Sequence, residues 1–295
     1  MEWQQILGFY HAARLGSFTK AADATFRSQS AISQQIKNLE EELGCLLFER
    51  MARRRLRLTS AGKKVFKFSE RVLKKYDFLT EELNEMKGLQ MGRLRMAAPF
   101  TTLFHLFPHS IKRYSERFPH VELSILDRSQ QDILDLIKNG DVDFGFVLES
   151  NVPKDLTALR WKKVRTVLMT PADHPLAKGN RLTLKRIGKY PLILPPKNLK
   201  YRTTLEARFR ELHIDYHIIM ESSNVELSSL YVEMGLGISF ATVVMDLAEL
   251  KQRKLAFLPM DHLFKPDYVA MVTRKSKVLV SYKKGFVEIL FGDAD

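Results

Sequence analysis

Between residues 94 and 273 the chain alternates short apolar runs with helical patterns, and this alternation constrains its fold more than any other feature. The runs are Leu94–Ala97, Val121–Leu126, Val142–Val147, Val164–Thr170, Leu192–Leu194, Ile218–Met220, Ile238–Phe240 and Tyr268–Thr273. Helical periodicity occupies 103–117, 129–138, 202–212 and 225–234. Strands alternating with helices predict an α/β sheet with helices on both faces. Two sheets of roughly 100 residues each fit this length better than one.

Before Gly88 and Gly92 the texture differs. Residues 3–14 read as a helix with Trp3, Ile6, Leu7, Tyr10 and Ala13 on one stripe, stopped by Gly16. Ser17 is a candidate N-cap for a short Ala-rich helix over 18–25, and Ser28 for a third helix over 29–42. Leu46 to Thr59 reads as two short strands joined by an Arg-rich turn. Short helices followed by a β-hairpin are the order of a winged helix-turn-helix. Residues 62–87 then form one long helix of ~39 Å. Val65, Val72, Tyr76, Leu79, Leu83 and Met86 lie along it, interrupted at Ser69 and spaced as a heptad seam from Val72 onward. A single apolar stripe needs a partner, either a second copy of the chain or the helix's own domain. Its place between two units favours the second copy.

The third helix carries two faces. Ile32, Ile36, Leu39 and Leu43 form the apolar one; Ser30, Ser33, Gln34 and Lys37 share another, with Gln29 at the tip. That polar face holds hydroxyls, an amide and an ammonium but no carboxylate; Glu40, Glu41 and Glu42 come only at the C-terminal end. A helix inserted in the major groove needs such a face, whereas a merely solvated one usually mixes charges. Ala21, Ala22 and Ala24 let the preceding helix pack closely, and Arg50, Arg53, Arg54, Arg55 and Arg57 suit a wing over the sugar–phosphate backbone. An Arg cluster alone is usually a solvated loop; behind an acid-free helix face it points to nucleic acid. The net charge of +13 also fits a polyanionic partner or simply a soluble basic protein. Basic side chains outnumber acidic ones two to one over residues 1–67.

At these residues the sequence resembles the LysR-type transcriptional regulators. The segment Gly16 to Gly62 carries the joint pattern: Gly-Ser-Phe, Ala-Ala, Ser-Gln-x-Ala-x-Ser, Leu-Glu, Leu-Gly, Leu-Phe-x-Arg and Leu-Thr-x-x-Gly. The resemblance implies that Gln29, Ser30, Ser33 and Gln34 lie on a recognition helix and Arg53–Arg55 on the wing. Thr25 departs from the family's usual Leu, and Phe26 is expected to fill that gap. The resemblance continues more weakly through GRLRMAA (92–98), Phe118-Pro119, NGDVDFGF (139–146), His174-Pro175-Leu176-Ala177 and MGLGISF (234–240). It implies an effector domain similar to periplasmic solute-binding proteins, with two α/β lobes, a ligand cleft and crossings near Val164–Leu168 and Lys265–Val269.

Ligands of open α/β sheets bind beyond the carboxyl ends of strands, where helix N-termini favour anions. Thr101 and Thr102 follow the first apolar run through Pro99; Tyr201, Arg202, Thr203 and Thr204 follow Leu192–Leu194 through Pro195 and Pro196. Ser129 and the Ser222-Ser223-Asn224 run occupy comparable turns. Each hydroxyl alone reads as an N-cap. Together with Arg202, Lys197 and Lys200, they predict a small anionic effector held by Thr101, Thr102, Ser129, Arg202, Thr203 and Asn224.

No nucleophile elbow, phosphate loop, dinucleotide fingerprint or zinc-protease motif appears, so neither a catalytic residue nor a cofactor is expected. His105 and His109 are four apart without a third ligand nearby, which reads as structural or solvent-facing rather than metal-binding. Asp141 and Asp143 flank Val142 before an apolar run, as an acid pair or a turn, and read as the turn. The one cysteine, Cys45, sits beside apolar Leu46 and Leu47 and reads as buried. The start of the sequence lacks a secretory pattern and no apolar run approaches a membrane span, so the cytoplasm is the expected compartment and no membrane partner is expected.

The expected architecture is therefore an α+β multidomain chain. It comprises a winged helix-turn-helix over 1–60, a linker helix over 61–88, and a two-lobed effector domain over 89–295 (lobe I about 89–164 and 269–295, lobe II about 165–268). The linker would form a homodimer spacing two recognition helices to match a near-palindromic operator on double-stranded DNA. The resemblance further implies a homotetramer and contact with RNA polymerase. A cytosolic enzyme or solute receptor, with the N-terminal unit serving only dimerisation, is the competing class, and the acid-free face argues against it.

Overall fold

A computed structural model describes residues 1–49, 56–178, 182–197, 200–222, 224–244, 253–275 and 279–292. The chain divides into two compact units, Met1–Leu89 and Gln90–Asp295.

The first unit holds α1 (Trp3–Leu15), α2 (Phe18–Ala24), α3 (Gln29–Leu43) and α4 (Ser60–Met86). Three hydroxyls open three of these helices. Ser17 Oγ accepts from Lys20 N at 3.3 Å, Ser28 Oγ from Ala31 N at 3.2 Å, and Thr59 Oγ1 from Gly62 N at 2.9 Å. Each satisfies an N–H that the first turn leaves without a carbonyl. Gly44 closes α3 at φ 64, a left-handed cap that any side chain would strain. Behind it Glu40 Oε1 accepts from Leu47 N at 2.6 Å and Phe48 N at 3.2 Å, tying the helix end to the wing. There Phe48 bridges Leu58 in antiparallel fashion and Glu49 N donates to Arg57 O. The turn bearing Arg50, Arg53, Arg54 and Arg55 lies outside the described residues.

Phe9, Ala12, Ala21, Ala22, Ile32, Ile36, Leu39, Leu47 and Phe48 form the core of this unit. Helix α1 is buried on two sides. Phe9 and Ala12 enter the core, while Tyr10 stacks on Phe66 and Trp3 tilts against Tyr76 on α4. The single stripe expected from sequence is thus only half of its packing. Leu43, expected on the buried face of α3, is 40% exposed at the helix end. Along α4 Val65 packs on the core and Ser69 is buried, its Oγ donating to Val65 O at 2.9 Å. Tyr76, Leu79, Leu83 and Met86 are exposed in this single chain.

The second unit contains β1 (Gly92–Ala98), α5 (Phe100–Leu106), α6 (Pro108–Arg117), β2 (Val121–Asp127), α7 (Gln130–Asn139), β3 (Phe144–Leu148) and β4 (Leu156–Pro171). It continues with α8 (Leu184–Ile187), β5 (Leu192–Leu194), α9 (Lys200–Glu211), β6 (Ile218–Glu221), α10 (Val225–Glu233), β7 (Ile238–Val243), β8 (Leu255–Pro259), β9 (Asp267–Arg274) and α11 (Ser281–Gly292). Strand order is β2-β1-β3-β9-β4-β7-β5-β6, with β8 also on β4. The long β4 belongs to both lobes. Leu156 to Val164 pair antiparallel with β9, and Arg165 to Pro171 pair with β7 and β8. Parallel pairing of β1 with β2 and β3, and of β5 with β6 and β7, gives each lobe a βαβ core.

The helix expected over 103–117 is two helices, because Pro108 supplies no N–H and starts a new one. The sequence reading omitted α8, β8 and α11. The last buries Tyr282, Phe286, Ile289 and Leu290, spaced i, i+4, i+7 and i+8, against Phe107, Tyr114, Phe144 and Phe146 of lobe I. Lobe II closes around Leu168, Leu192, Leu194, Leu205, Phe209 and Phe240.

Candidate functional site

Helix α3 buries Ile32, Ile36 and Leu39 and leaves Gln29, Ser30, Ser33, Gln34 and Lys37 exposed. Its amphipathic stripe therefore orients the polar face outward by the same contacts that hold the core. Within that face Ser28 and Ser30 hydroxyls lie 2.9 Å apart and Gln34 Nε2 donates to Asn38 Oδ1 at 2.6 Å. Lys37 pairs loosely with Glu41 at 3.6 Å, both exposed, a pairing that water screens and an anionic ligand can replace. Hydroxyls, amides and an ammonium thus stand on one open surface, with donors for phosphate and both donors and acceptors for base edges.

Two expectations for this unit are corrected. Phe26 does not fill the position left by Thr25: it is 98% exposed. Thr25 needs no filler, since its hydroxyl donates to Ala21 O at 2.8 Å and satisfies itself within α2. Cys45 is exposed rather than buried, because Gly44 turns the chain outward before Leu47 re-enters the core.

The second unit encloses a cavity of about 730 Å³ between its lobes. Thr101, Thr102, Ser129 and Asn224 line it, with Thr204 and Ser222 beside them. Every one of these except Thr204 lies just beyond a strand's carboxyl end, where α5, α7 and α10 begin. Ser129 and Asn224 also cap their helices: Ser129 Oγ accepts from Asp132 N, and Asn224 Oδ1 accepts from Glu226 N at 2.8 Å. Thr101 and Thr102 have no such duty. No hydrogen bond among the described residues engages their hydroxyls, nor those of Thr166 and Thr242, which face each other across β4 and β7 in the cavity wall. The strand threonines were not foreseen, since alternation in a buried run gives no sign of which side faces a void. Lys265 and Asp267 also line the cavity.

Arg202 and Thr203 do not line the cavity. The Arg202 guanidinium is fully buried inside lobe II. Its Nε donates to Glu206 Oε1 at 2.8 Å and its Nη1 to Pro195 O at 2.7 Å. Glu206, one helical turn on, captures the guanidinium that the sequence reading aimed at a ligand. Thr204, one residue beyond Thr203, faces the cavity instead.

His105 also lines the cavity, and its Nε2 lies 2.5 Å from Glu226 Oε1 of the opposite lobe. His109 is exposed, and among the described residues no cluster of three metal-ligating side chains exists. Asp143 is buried rather than a plain turn residue: it accepts from Arg95 N at 2.8 Å and pairs with Lys283 at 3.0 Å, closing β1 onto α11. No described helix is long and apolar enough to cross a membrane.

Comparison with known proteins agrees with this anatomy. Residues 3–63 match the family model described as bacterial regulatory helix-turn-helix protein, lysR family, and residues 87–293 that of the LysR substrate binding domain. The chain is 30% identical over 292 residues to the HTH-type transcriptional regulator cbl of Escherichia coli strain K12, covering 98% of this chain and 92% of that one. The crystal structure of the cofactor-binding domain of the Cbl transcriptional regulator superposes with a TM-score of 0.59 at 29% identity, over 68% of this chain and 88% of that domain. Full-length CbnR complexed with its target DNA shares the fold at a TM-score of 0.66 and 19% identity, over 98% of this chain and 99% of CbnR. With both of its units matched and its relatives aligned end to end, the chain belongs to the LysR family of DNA-binding transcription regulators, which pair a helix-turn-helix with an effector-binding domain.

Proposed function

We propose that this regulator reads double-stranded DNA with Gln29, Ser30, Ser33, Gln34 and Lys37, while Arg50, Arg53, Arg54 and Arg55 of the wing hold the backbone. A small anionic effector in the inter-lobe cavity would modulate that binding. The observation that carries the first part is the open face of α3, free of acidic residues from Gln29 to Lys37 and set outward by the burial of Ile32, Ile36 and Leu39. Amides and hydroxyls there match base edges, and the cations add a salt-dependent phosphate term. For the effector, unengaged hydroxyls at Thr101, Thr102, Thr166 and Thr242, helix starts at Ser129 and Asn224, and Lys265 in the lining support an anion. Arg202 is not part of that support.

On this reading the chain works as three segments, 1–60, 61–88 and 89–295. The exposed seam Tyr76, Leu79, Leu83 and Met86 pairs two copies through α4, spacing two recognition helices over a near-palindromic operator. A tetramer of two such pairs, and contact with RNA polymerase, complete the proposal. The effector favours one lobe arrangement and so shifts how the pairs sit on DNA.

The test is retention of sheared genomic DNA at moderate salt. A few enriched sites sharing an inverted repeat are expected, with uniform recovery the contrary result. Gln29→Ala with Ser33→Ala should weaken specific binding roughly 10- to 100-fold and leave non-specific binding nearly unchanged. Equal loss of both would remove base readout from α3. Calorimetric titration that found neutral or cationic metabolites binding, and no anions, would overturn the effector class.

A further inference from the structure

Phe26 is the most exposed large apolar side chain among the described residues, at 98%, and its backbone is left-handed at φ 54. Neither property favours folding. A bulky residue in that region is strained, where glycine or asparagine would not be, and an exposed ring gains nothing from the core. The turn does not choose the residue. Phe26 N donates to Asp23 O and Arg27 N to Ala22 O at 2.9 Å, so the backbone fixes this conformation whatever side chain stands there. Strain of this kind, where the fold draws no benefit, points to a duty elsewhere.

Its place says what that duty is. Residues 26–30 are exposed without interruption, and Ser33, Gln34 and Lys37 continue the same open surface along α3. Phe26 stands two residues ahead of the Ser28 cap, beside exposed Arg27, at the N-terminal end of α3 where base-reading residues of such helices concentrate. The surface around it is basic and polar, unsuited to an apolar protein partner. On duplex DNA the apolar feature in the major groove is the thymine C5-methyl group, which phenylalanine can pack against. We propose that Phe26 is a base-contacting residue that packs on a thymine methyl at the edge of each half-site. The inference rests on the DNA-reading face proposed for α3.

The experiment uses the full chain and a duplex that it selects from a random-sequence pool. Phe26→Asn should melt at the same temperature as wild type or higher, because asparagine tolerates the left-handed turn. Its affinity for the selected duplex should fall at least fourfold per half-site. Replacing thymines one at a time by deoxyuridine, which lacks the methyl, should reveal one position per half-site that weakens the wild type about fourfold and leaves Phe26→Asn unchanged. Phe26→Tyr, which keeps the ring, should retain the wild-type response to that position. A variant that binds as tightly as wild type, a loss accompanied by a lower melting temperature, or deoxyuridine tolerated everywhere overturns the role of Phe26 alone. A wild type that selects no sequence overturns the DNA-reading face, and this proposal with it.

Discussion

The polar face of α3 and the cavity of the second unit are built from the same side chains, small hydroxyls and amides, yet they present them oppositely. On α3 the residues follow one another at helical spacing and point to open solvent. In the cavity they converge from α5, α7, α10, β4 and β7, whose sequence positions span more than a hundred residues. An extended duplex is met by a convex helix; a small molecule must be enclosed. The difference teaches that the same chemistry forms an open surface or a closed cavity according to how many elements share it, which suits the groove reader and the ligand site proposed above. It also suggests that the units can be perturbed separately.

Gly62 offers the sharpest way to break that separation. A Cβ there would collide with the carbonyl oxygen of Leu47 and the side chain of Leu58, because α4 passes directly over the wing. Gly62→Ala should destabilise the first unit by about 3 kcal/mol, by overpacking against a rigid backbone. In calorimetry the transition of Met1–Leu89 should move down while that of the second unit stays, and DNA retention should fall with anion affinity unchanged. A single transition that shifts as a whole would mean that the units fold together, and the comparison would lose its basis.

What could be read from sequence divides along the same line. The periodicity of α3, with Ser28 before it and Gly44 after it, marked both its buried and its open face; the alternation beyond residue 94 marked an α/β body of two sheets, and only the family resemblance implied two lobes around a cleft. Capping by Ser17 and Ser28 was legible because local hydrogen bonds are set by neighbours in sequence. The reading failed where periodicity does not rank the competing positions or partners open to one side chain. Arg202 looked like a ligand cation, but Glu206 and Pro195 O engage it inside lobe II. Phe26 looked like filler, but the turn holds it in solvent. Thr166 and Thr242 carried no signal, since a hydroxyl in a strand shows which face it occupies only when the sheet's neighbours are known.

Those two threonines sharpen the comparison at the next level of effect. Their hydroxyls hold no partner within the described residues, so valine in their place would remove the proposed ligand contact without orphaning another group. If the proposed anion occupies the cavity, Thr166→Val combined with Thr242→Val should weaken its binding about tenfold, from two hydrogen bonds of which part is recovered by water. Melting temperature should be unchanged or slightly raised, and DNA affinity without ligand should not move. Loss of stability with no loss of anion affinity would show that the hydroxyls serve the fold, and the parallel with the free face of α3 would fail.

The smallest expected effect concerns protons. In lobe II, Leu176 N donates to His174 Nδ1 at 3.2 Å, and the ring packs edge-on against Tyr190. Burial lowers the pKa of His174 below the usual 6.5 and outweighs Asp173, which acts the other way. The unfolded chain therefore takes up this proton at a higher pH than the folded one. Its stabilising contribution is complete above about pH 6.5 and is lost as pH falls through the lowered folded value. His11 in the first unit has the same sign, from burial and then from Arg14. Both calorimetric transitions of the wild type should thus fall between pH 7.5 and 5. His174→Asn should flatten the slope of the second transition and leave that of the first. If both slopes survive the substitution, the acid sensitivity of lobe II comes from other groups, and burial does not lower the pKa of His174 as assigned.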